Sequence, residues 1–139
     1  MYKIDFSKPA RVHFIGIGGI SMSGLAQILL NAGFTVSGSD RAPSELTEKL
    51  EKEGVTVYYG QRSENIKEGT DLVVFTAAIK EDNPEYMQAK TMGIPLMARA
   101  DLLGQIMKNF VSFSREFEAY PLGRRKQCKL VFFFFFFPF

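Results

Sequence analysis

Residues 12–26 have the sequence VHFIGIGGISMSGLA, an apolar run that ends in closely spaced glycines and continues into small and apolar residues at helical spacing. This order predicts a strand, a tight turn and the first turn of a helix. A helix N-terminus exposes unpaired N–H groups and the positive end of the helix dipole. Because glycines let an anion approach these groups closely, the turn is suited to a phosphate or a diphosphate.

The first 108 residues alternate between strand-like and helix-like segments. Apolar runs predict strands at 11–16, 35–38, 55–59, 72–76 and 94–97. Capping residues and apolar periodicity predict helices at 19–31, 44–54, 84–93 and 99–108. This order predicts an α/β fold, a Rossmann-like parallel sheet of about five strands with helices on both faces.

Ligands of such a sheet bind beyond the carboxyl ends of its strands. Four segments end or follow those strands and are expected to converge, although they are distant in the sequence: residues 16–23, 37–41, 59–62 and 76–83. Candidate binding residues therefore lie in these segments.

Gly16 and Gly18 match the first two glycines of the dinucleotide fingerprint, whereas Ser21 stands at the third. Asp40 lies about 20 residues further on, at a strand end, where a carboxylate can accept hydrogen bonds from ribose hydroxyls or a base N–H. Structural interpretations stay open: the glycines can serve only close packing, and Asp40 can cap the second helix or pair with Arg41. Ser21 and Ser23 can each contact a phosphate or simply pack, and Ser21 is favoured because it is nearer the helix start.

The segment Thr76, Ala77, Ala78 and Ile79 follows the fourth strand. Thr76 can donate from its side chain and the alanines permit close backbone approach, while an ordinary loop is the alternative for the alanines. His13 is the single histidine, and its place in an apolar strand favours a hydrogen-bonded core residue over a catalytic one. With one histidine and one cysteine, no multi-ligand metal site is expected.

Composition separates residues 1–108 from residues 109–139. The first range contains 12 Lys+Arg and 13 Asp+Glu, the second 5 and 2, and seven of the 14 Phe fall in the last eight residues. The formal net charge of +2 gives no general attraction to nucleic acid. Lone Cys128 and the lack of an apolar secretory segment predict a cytoplasmic location. The six Phe at 132–137 are too few to span a bilayer as a helix, so no membrane partner is expected.

The glycine stretch resembles the N-terminal signature of the UDP-N-acetylmuramate–L-alanine ligases, the ATP-dependent Mur ligases of peptidoglycan synthesis. The resemblance continues in order through VSGSD at 36–40, TAAI at 76–79, DNPE at 82–85, GIP at 93–95 and RA at 99–100. It covers about residues 10–108, and together its motifs are highly specific. Ser21 stands where many relatives have glycine, and Gln61 stands where many have histidine, so no role is transferred to Gln61.

The resemblance implies that residues 1–108 form the first of three domains, which holds the UDP part of UDP-N-acetylmuramate. The second domain carries ATP and Mg²⁺, and the third receives the amino acid. The muramoyl carboxylate becomes an acyl phosphate, which the amine of L-alanine attacks. The implied substrate-binding residues are Gly18, Gly19, Ile20 and Ser21 at the diphosphate, Asp40 at the uridine, and Thr76, Ala77, Ala78 and Ile79 bordering the same ligand. Gly16, the first glycine of the fingerprint, is also expected to bind the substrate.

Residues 109–139 do not resemble the family, whose sequence continues into a phosphate loop with a Gly-Lys-Thr core. We interpret this range as an irregular or disordered tail, and as an out-of-frame or truncated end; a basic-aromatic membrane-adhesion tail is the alternative. No cofactor and no catalytic residue is expected in this chain. It is expected to bind substrate without ligating, unless another chain supplies the missing domains.

A nicotinamide-dependent oxidoreductase module is the alternative function, because Gly16, Gly18 and Asp40 fit an NAD site nearly as well. No plausible hydride-transfer residue accompanies them, and the later motifs favour the ligase. A folded remnant without function is the third interpretation.

Overall fold

Five parallel strands form one sheet in the order β3-β2-β1-β4-β5. The structure is a computed structural model that describes the backbone of residues 1–119 and the side chains of residues 1–111. The predicted α/β fold is confirmed, and the strand bounds differ from the predicted ones by one or two residues. The strands are β1 (Arg11–Ile15), β2 (Thr35–Asp40), β3 (Thr56–Tyr59), β4 (Leu72–Phe75) and β5 (Leu96–Ala98).

The helices are α1 (Ile20–Asn31), α2 (Glu45–Glu53), α3 (Pro84–Thr91) and α4 (Arg99–Ala119), with a short 3-10 turn at Ser63–Asn65. The prediction for α4 was wrong at its end, because the helix continues from Lys108 to Ala119. No glycine or proline stands between Gly104 and Pro121 to end it earlier. From residue 120 onward, the predicted irregular tail lies outside the described residues. Among the helices that are described, none is long and apolar enough to cross a membrane.

Helices cover both faces of the sheet, as predicted. Side chains alternate between the two faces along each strand. Val12 and Phe14 of β1 pack in a core with residues of α1, α2 and α4. Ile15 and Val73 face the opposite way and pack with Ala89 of α3. The carboxyl ends of β1, β2, β3 and β4 remain at one edge, where the loops of the candidate site meet.

Gly24 lies in the middle of α1 on its exposed side, and no atom lies within 4 Å of the place that a Cβ would take. Glycine loses more backbone entropy than alanine in a helix, so Gly24→Ala is expected to raise the free energy of unfolding by about 0.5–1 kcal/mol. Urea unfolding followed by circular dichroism measures the change. A lower free energy of unfolding than in the unmodified chain would contradict this prediction.

Candidate nucleotide-sugar site

The turn between β1 and α1 lies directly against the end of β2. The backbone N–H groups of Gly16 and Ile17 both donate to the carbonyl oxygen of Ser39, at 2.8 and 2.9 Å. Gly16 has a φ of +83°, which favours glycine. A Cβ at Gly38 would lie 2.6 Å from Ile17 side-chain atoms. The Ile17 side chain therefore packs where a larger residue at position 38 would clash with it. Close packing is therefore one function of the glycines here.

Asp40 holds the turn from the end of β2. Its Oδ2 accepts a hydrogen bond from the Gly18 N–H at 2.8 Å, and its Oδ1 accepts one from the Arg41 N–H at 2.7 Å. A Cβ at Gly18 would lie 2.4 Å from Asp40 Oδ2. The cap of α2 is Ser44 and not Asp40. Because each carboxylate oxygen has a second lone pair, Asp40 can still accept from a ligand.

The first turn of α1 presents its backbone N–H groups without a side-chain cap. Gly19 is the N-cap residue, and the first turn contains no acidic side chain. Ile20 is 87 % exposed and Ser21 is exposed, whereas Ser23 is buried and donates to the Ile20 carbonyl at 2.9 Å. Ser23 is thus a packing residue, and the exposed hydroxyl at the helix start belongs to Ser21. This positive helix end is open to an anion.

A cleft of about 240 Å³ opens at the same edge of the sheet. It is lined by residues that follow β2, β3 and β4, namely Arg41, Gln61, Ala78, Ile79, Lys80, Asp82 and Asn83. The Asn83 side-chain amide donates to Gln61 Oε1 at 2.7 Å and joins two of these loops. The predicted convergence is confirmed, because the three other segments line the cleft and Asp40 connects the glycine turn to the same edge.

The predicted residues after β4 separate into two groups. Ala78 and Ile79 line the cleft, whereas Thr76 and Ala77 are not among its lining residues. Thr76 is half-buried, and its carbonyl accepts from the Ile79 N–H at 3.0 Å, which closes a turn. The residues of the glycine turn also lie outside the cleft lining.

Five lining residues were not predicted as site residues: Arg41, Gln61, Lys80, Asp82 and Asn83. All five lie within the segments expected to converge, so their positions after strand ends were the available signal. Their side chains bring two cations, one carboxylate and two amides to the cleft, which suits a polar ligand with both donors and acceptors.

A largely buried polar cluster of His13, Glu85, Ser37 and Ser39 lies next to the glycine turn. His13 is buried, with its Nε2 2.7 Å from Glu85 Oε1 and its Nδ1 2.9 Å from Ser37 Oγ. Glu85 is also fully buried, and its Oε2 accepts from the Ser39 hydroxyl at 2.6 Å. The prediction of a hydrogen-bonded core histidine is confirmed. The burial of Glu85 was not predicted, because glutamate is almost never fully buried unless it is paired.

A match to a protein family identifies the kind of protein to which this sheet edge belongs. Residues 11–111 match the family model described as Mur ligase family, catalytic domain. This chain belongs to the Mur ligase family. That match covers the glycine turn, the cleft and the polar cluster of the Mur ligase chain.

Two sequence relatives of this Mur ligase chain are UDP-N-acetylmuramate–L-alanine ligases. The protein of Agathobacter rectalis is 64% identical over 110 residues, which are 79% of this chain and 24% of that protein. The protein of Acetivibrio thermocellus is 63% identical over 107 residues, which are 77% of this chain and 23% of that protein. The chain therefore spans about a quarter of the length of the curated relatives it matches.

Solved structures of the family share the fold of this Mur ligase chain. The UDP-N-acetylmuramate–alanine ligase of Thermotoga maritima is 33% identical with a TM-score of 0.68, and covers 71% of this chain and 23% of its own. The UDP-N-acetylmuramate:L-alanyl-gamma-D-glutamyl-meso-diaminopimelate ligase of Neisseria meningitides is 32% identical with a TM-score of 0.61. That match covers 66% of this chain and 29% of the Neisseria chain.

Proposed function

We propose that this chain binds UDP-N-acetylmuramate as the nucleotide-sugar-binding part of a UDP-N-acetylmuramate–L-alanine ligase of peptidoglycan synthesis. The observation that carries the proposal is the hydrogen bond from Gly18 to Asp40, which joins an open helix N-terminus to the strand end beside the cleft. The relatives at 64% and 63% identity support this substrate, because their names state it.

The diphosphate lies at the start of α1 in this proposal. Gly18, Gly19 and Ile20 supply the backbone approach, Gly16 shapes the turn, and the exposed Ser21 hydroxyl donates to a phosphate oxygen. The absence of an acidic side chain in the first turn leaves the helix dipole free to favour the negative charge.

The uridine lies along the cleft in this proposal, with Asp40 beside it, because Asp40 directly precedes the lining residue Arg41. Uracil offers one N–H donor between two carbonyl acceptors, and the cleft offers both kinds of partner. Gln61 uses its Oε1 for Asn83, which leaves its NH₂ group to donate to a carbonyl of the base. Ala78 and Ile79 line the cleft, while Thr76 and Ala77 form the turn that leads into it.

No phosphate loop for ATP is recognisable in this sequence. The sequence contains no Gly-Lys-Thr or Gly-Lys-Ser, and no lysine stands in the glycine turn at residues 16–23. Among the described residues, no three His, Cys, Asp or Glu side chains form a metal-holding group. We therefore propose substrate binding without ligation for these 139 residues, with the lone cysteine supporting a reducing compartment such as the cytoplasm.

Gly19→Ala tests where the diphosphate lies. A Cβ at Gly19 would make only ordinary contacts, 3.7 Å from the Gly16 oxygen and 3.9 Å from Met22 Cβ, so the fold has room for it. The methyl group would stand at the open end of α1, where the phosphates are proposed to approach. Affinity for UDP-N-acetylmuramate is expected to fall about tenfold, while the free energy of unfolding changes by less than about 1 kcal/mol.

Isothermal calorimetry measures the affinity, and Gly24→Ala in the same helix is the matched control. Both variants add one methyl group to α1 or its cap, but only position 19 lies at the proposed diphosphate. Equal affinities of Gly19→Ala and the unmodified chain would contradict this placement of the ligand.

A further inference from the structure

The start of α3 is tied to strands β1 and β2 by Glu85. Both of its carboxylate oxygens are engaged, Oε1 with His13 of β1 and Oε2 with the Ser39 hydroxyl of β2. In the described part of the chain, no buried side-chain nitrogen or oxygen lacks a hydrogen-bond partner. A closed buried network of this kind fixes the relative positions of the elements that it joins.

Ser39 extends this network to the glycine turn. Its side chain is held by Glu85, and its backbone carbonyl accepts from both Gly16 and Ile17. The next residue, Asp40, accepts from the Gly18 N–H. The position of the β2 end therefore sets three consecutive N–H groups of the turn.

Asn83 ties the same end of α3 to the cleft. Its Oδ1 accepts from the N–H groups of Glu85 and Tyr86, and its Nδ2 donates to Gln61. The first turn of α3 is thus linked to the glycine turn indirectly, through Glu85 and Ser39, and it contacts the cleft wall through Asn83. Both parts of the candidate site are therefore connected to one helix turn.

We propose that Glu85 and Ser39 are positioning residues, which hold the glycine turn at the place where it binds the diphosphate of the substrate. The proposal rests on the proposed function. Neither side chain touches the ligand, because both are fully buried. They act through the Ser39 carbonyl and the three N–H groups of residues 16–18.

Ser39→Ala and Ser37→Ala form a matched pair for the test. Each substitution removes one hydroxyl from the same network. The Ser37 hydroxyl contacts His13 Nδ1, whereas the Ser39 hydroxyl contacts Glu85 and the Ser39 carbonyl accepts from the glycine turn. Calorimetry with UDP-N-acetylmuramate is done on the full 139-residue chain. Ser39→Ala is expected to bind about tenfold more weakly, and Ser37→Ala within about twofold of the unmodified chain.

Glu85→Gln is the conservative variant that is expected to retain binding. The glutamine oxygen can accept from Ser39 while its NH₂ group donates to His13 Nε2, if the neutral imidazole carries its proton on Nδ1 and donates to Ser37. Affinity is then expected to stay within about threefold. Nitrogen-15 NMR of the single histidine reports which ring nitrogen carries the proton in this variant, and Nδ1 is expected.

The outcomes separate the positioning role from the substrate assignment. If the unmodified chain binds UDP-N-acetylmuramate and the two serine variants bind it equally well, the positioning role is overturned. The assignment of UDP-N-acetylmuramate as the substrate is then retained. If the unmodified chain does not bind, the proposed function is overturned and the positioning role with it. NMR of the ligand-free chain gives a separate readout. The backbone amide chemical shifts of Gly16 and Gly18 are expected to change in Ser39→Ala and to remain unchanged in Ser37→Ala.

Discussion

Glu85→Ala is expected to lower the free energy of unfolding by about 3 kcal/mol. The substitution removes the acceptor for two buried groups, the His13 ring and the Ser39 hydroxyl. Both groups lie where water does not reach them, with Glu85, His13 and Ser39 each fully buried. A buried polar group that loses its partner costs its full desolvation free energy, and the missing side chain also leaves a cavity.

Met87→Ala is the control for Glu85→Ala, since it shortens a side chain of the same helix that is 54 % exposed. Its effect is expected to stay within about 0.5 kcal/mol. Urea unfolding of both variants, with a common slope, measures the difference. An equal loss in the two variants would contradict the structural importance of the Glu85 contacts.

Gly18→Ala is expected to weaken the binding of UDP-N-acetylmuramate by about a hundredfold, or about 2.7 kcal/mol. A Cβ there would lie 2.4 Å from Asp40 Oδ2 and 3.1 Å from Thr47 Cγ2, so the Asp40 side chain has to move. Its hydrogen bond to the Gly18 N–H is then lost, and the turn loses its contact with the end of β2. The diphosphate and uridine parts of the proposed site are both displaced.

Two comparisons make the Gly18→Ala result specific. Gly24→Ala adds the same methyl group inside α1, where no atom lies within 4 Å, and is expected to bind as the unmodified chain does. In an Asp40→Ala background, the stability cost of Gly18→Ala is expected to shrink, because the clashing carboxylate is absent. Unchanged affinity of Gly18→Ala would contradict the assignment of the turn to the ligand.

The sheet could be predicted from the sequence because its signals are local. The apolar run at 72–75 marks a strand buried on both faces, and Ser44 and Asn83 cap the helices that follow them. The general topology of parallel sheets then placed the loops of residues 16–23, 37–41, 59–62 and 76–83 at one edge.

The polar contacts inside that edge could not be predicted in the same way. Glu85 is 46 residues from Ser39 and 72 from His13 along the chain, and nothing in the helix start indicates either partner. Gln61 and Asn83 are likewise 22 residues apart. Proximity of Asp40 to the turn was expected, but its bond to the turn's own Gly18 N–H required the three-dimensional arrangement.

Calorimetry of the 139-residue chain with UDP-N-acetylmuramate, UDP and NAD, each titrated separately, tests the central claim most directly. We expect one molecule of UDP-N-acetylmuramate to bind per chain, UDP to bind more weakly, and NAD to give no binding heat. Binding of NAD without a response to either uridine nucleotide would contradict the account and favour an oxidoreductase module. Binding of none of the three would contradict it as well and favour a folded remnant.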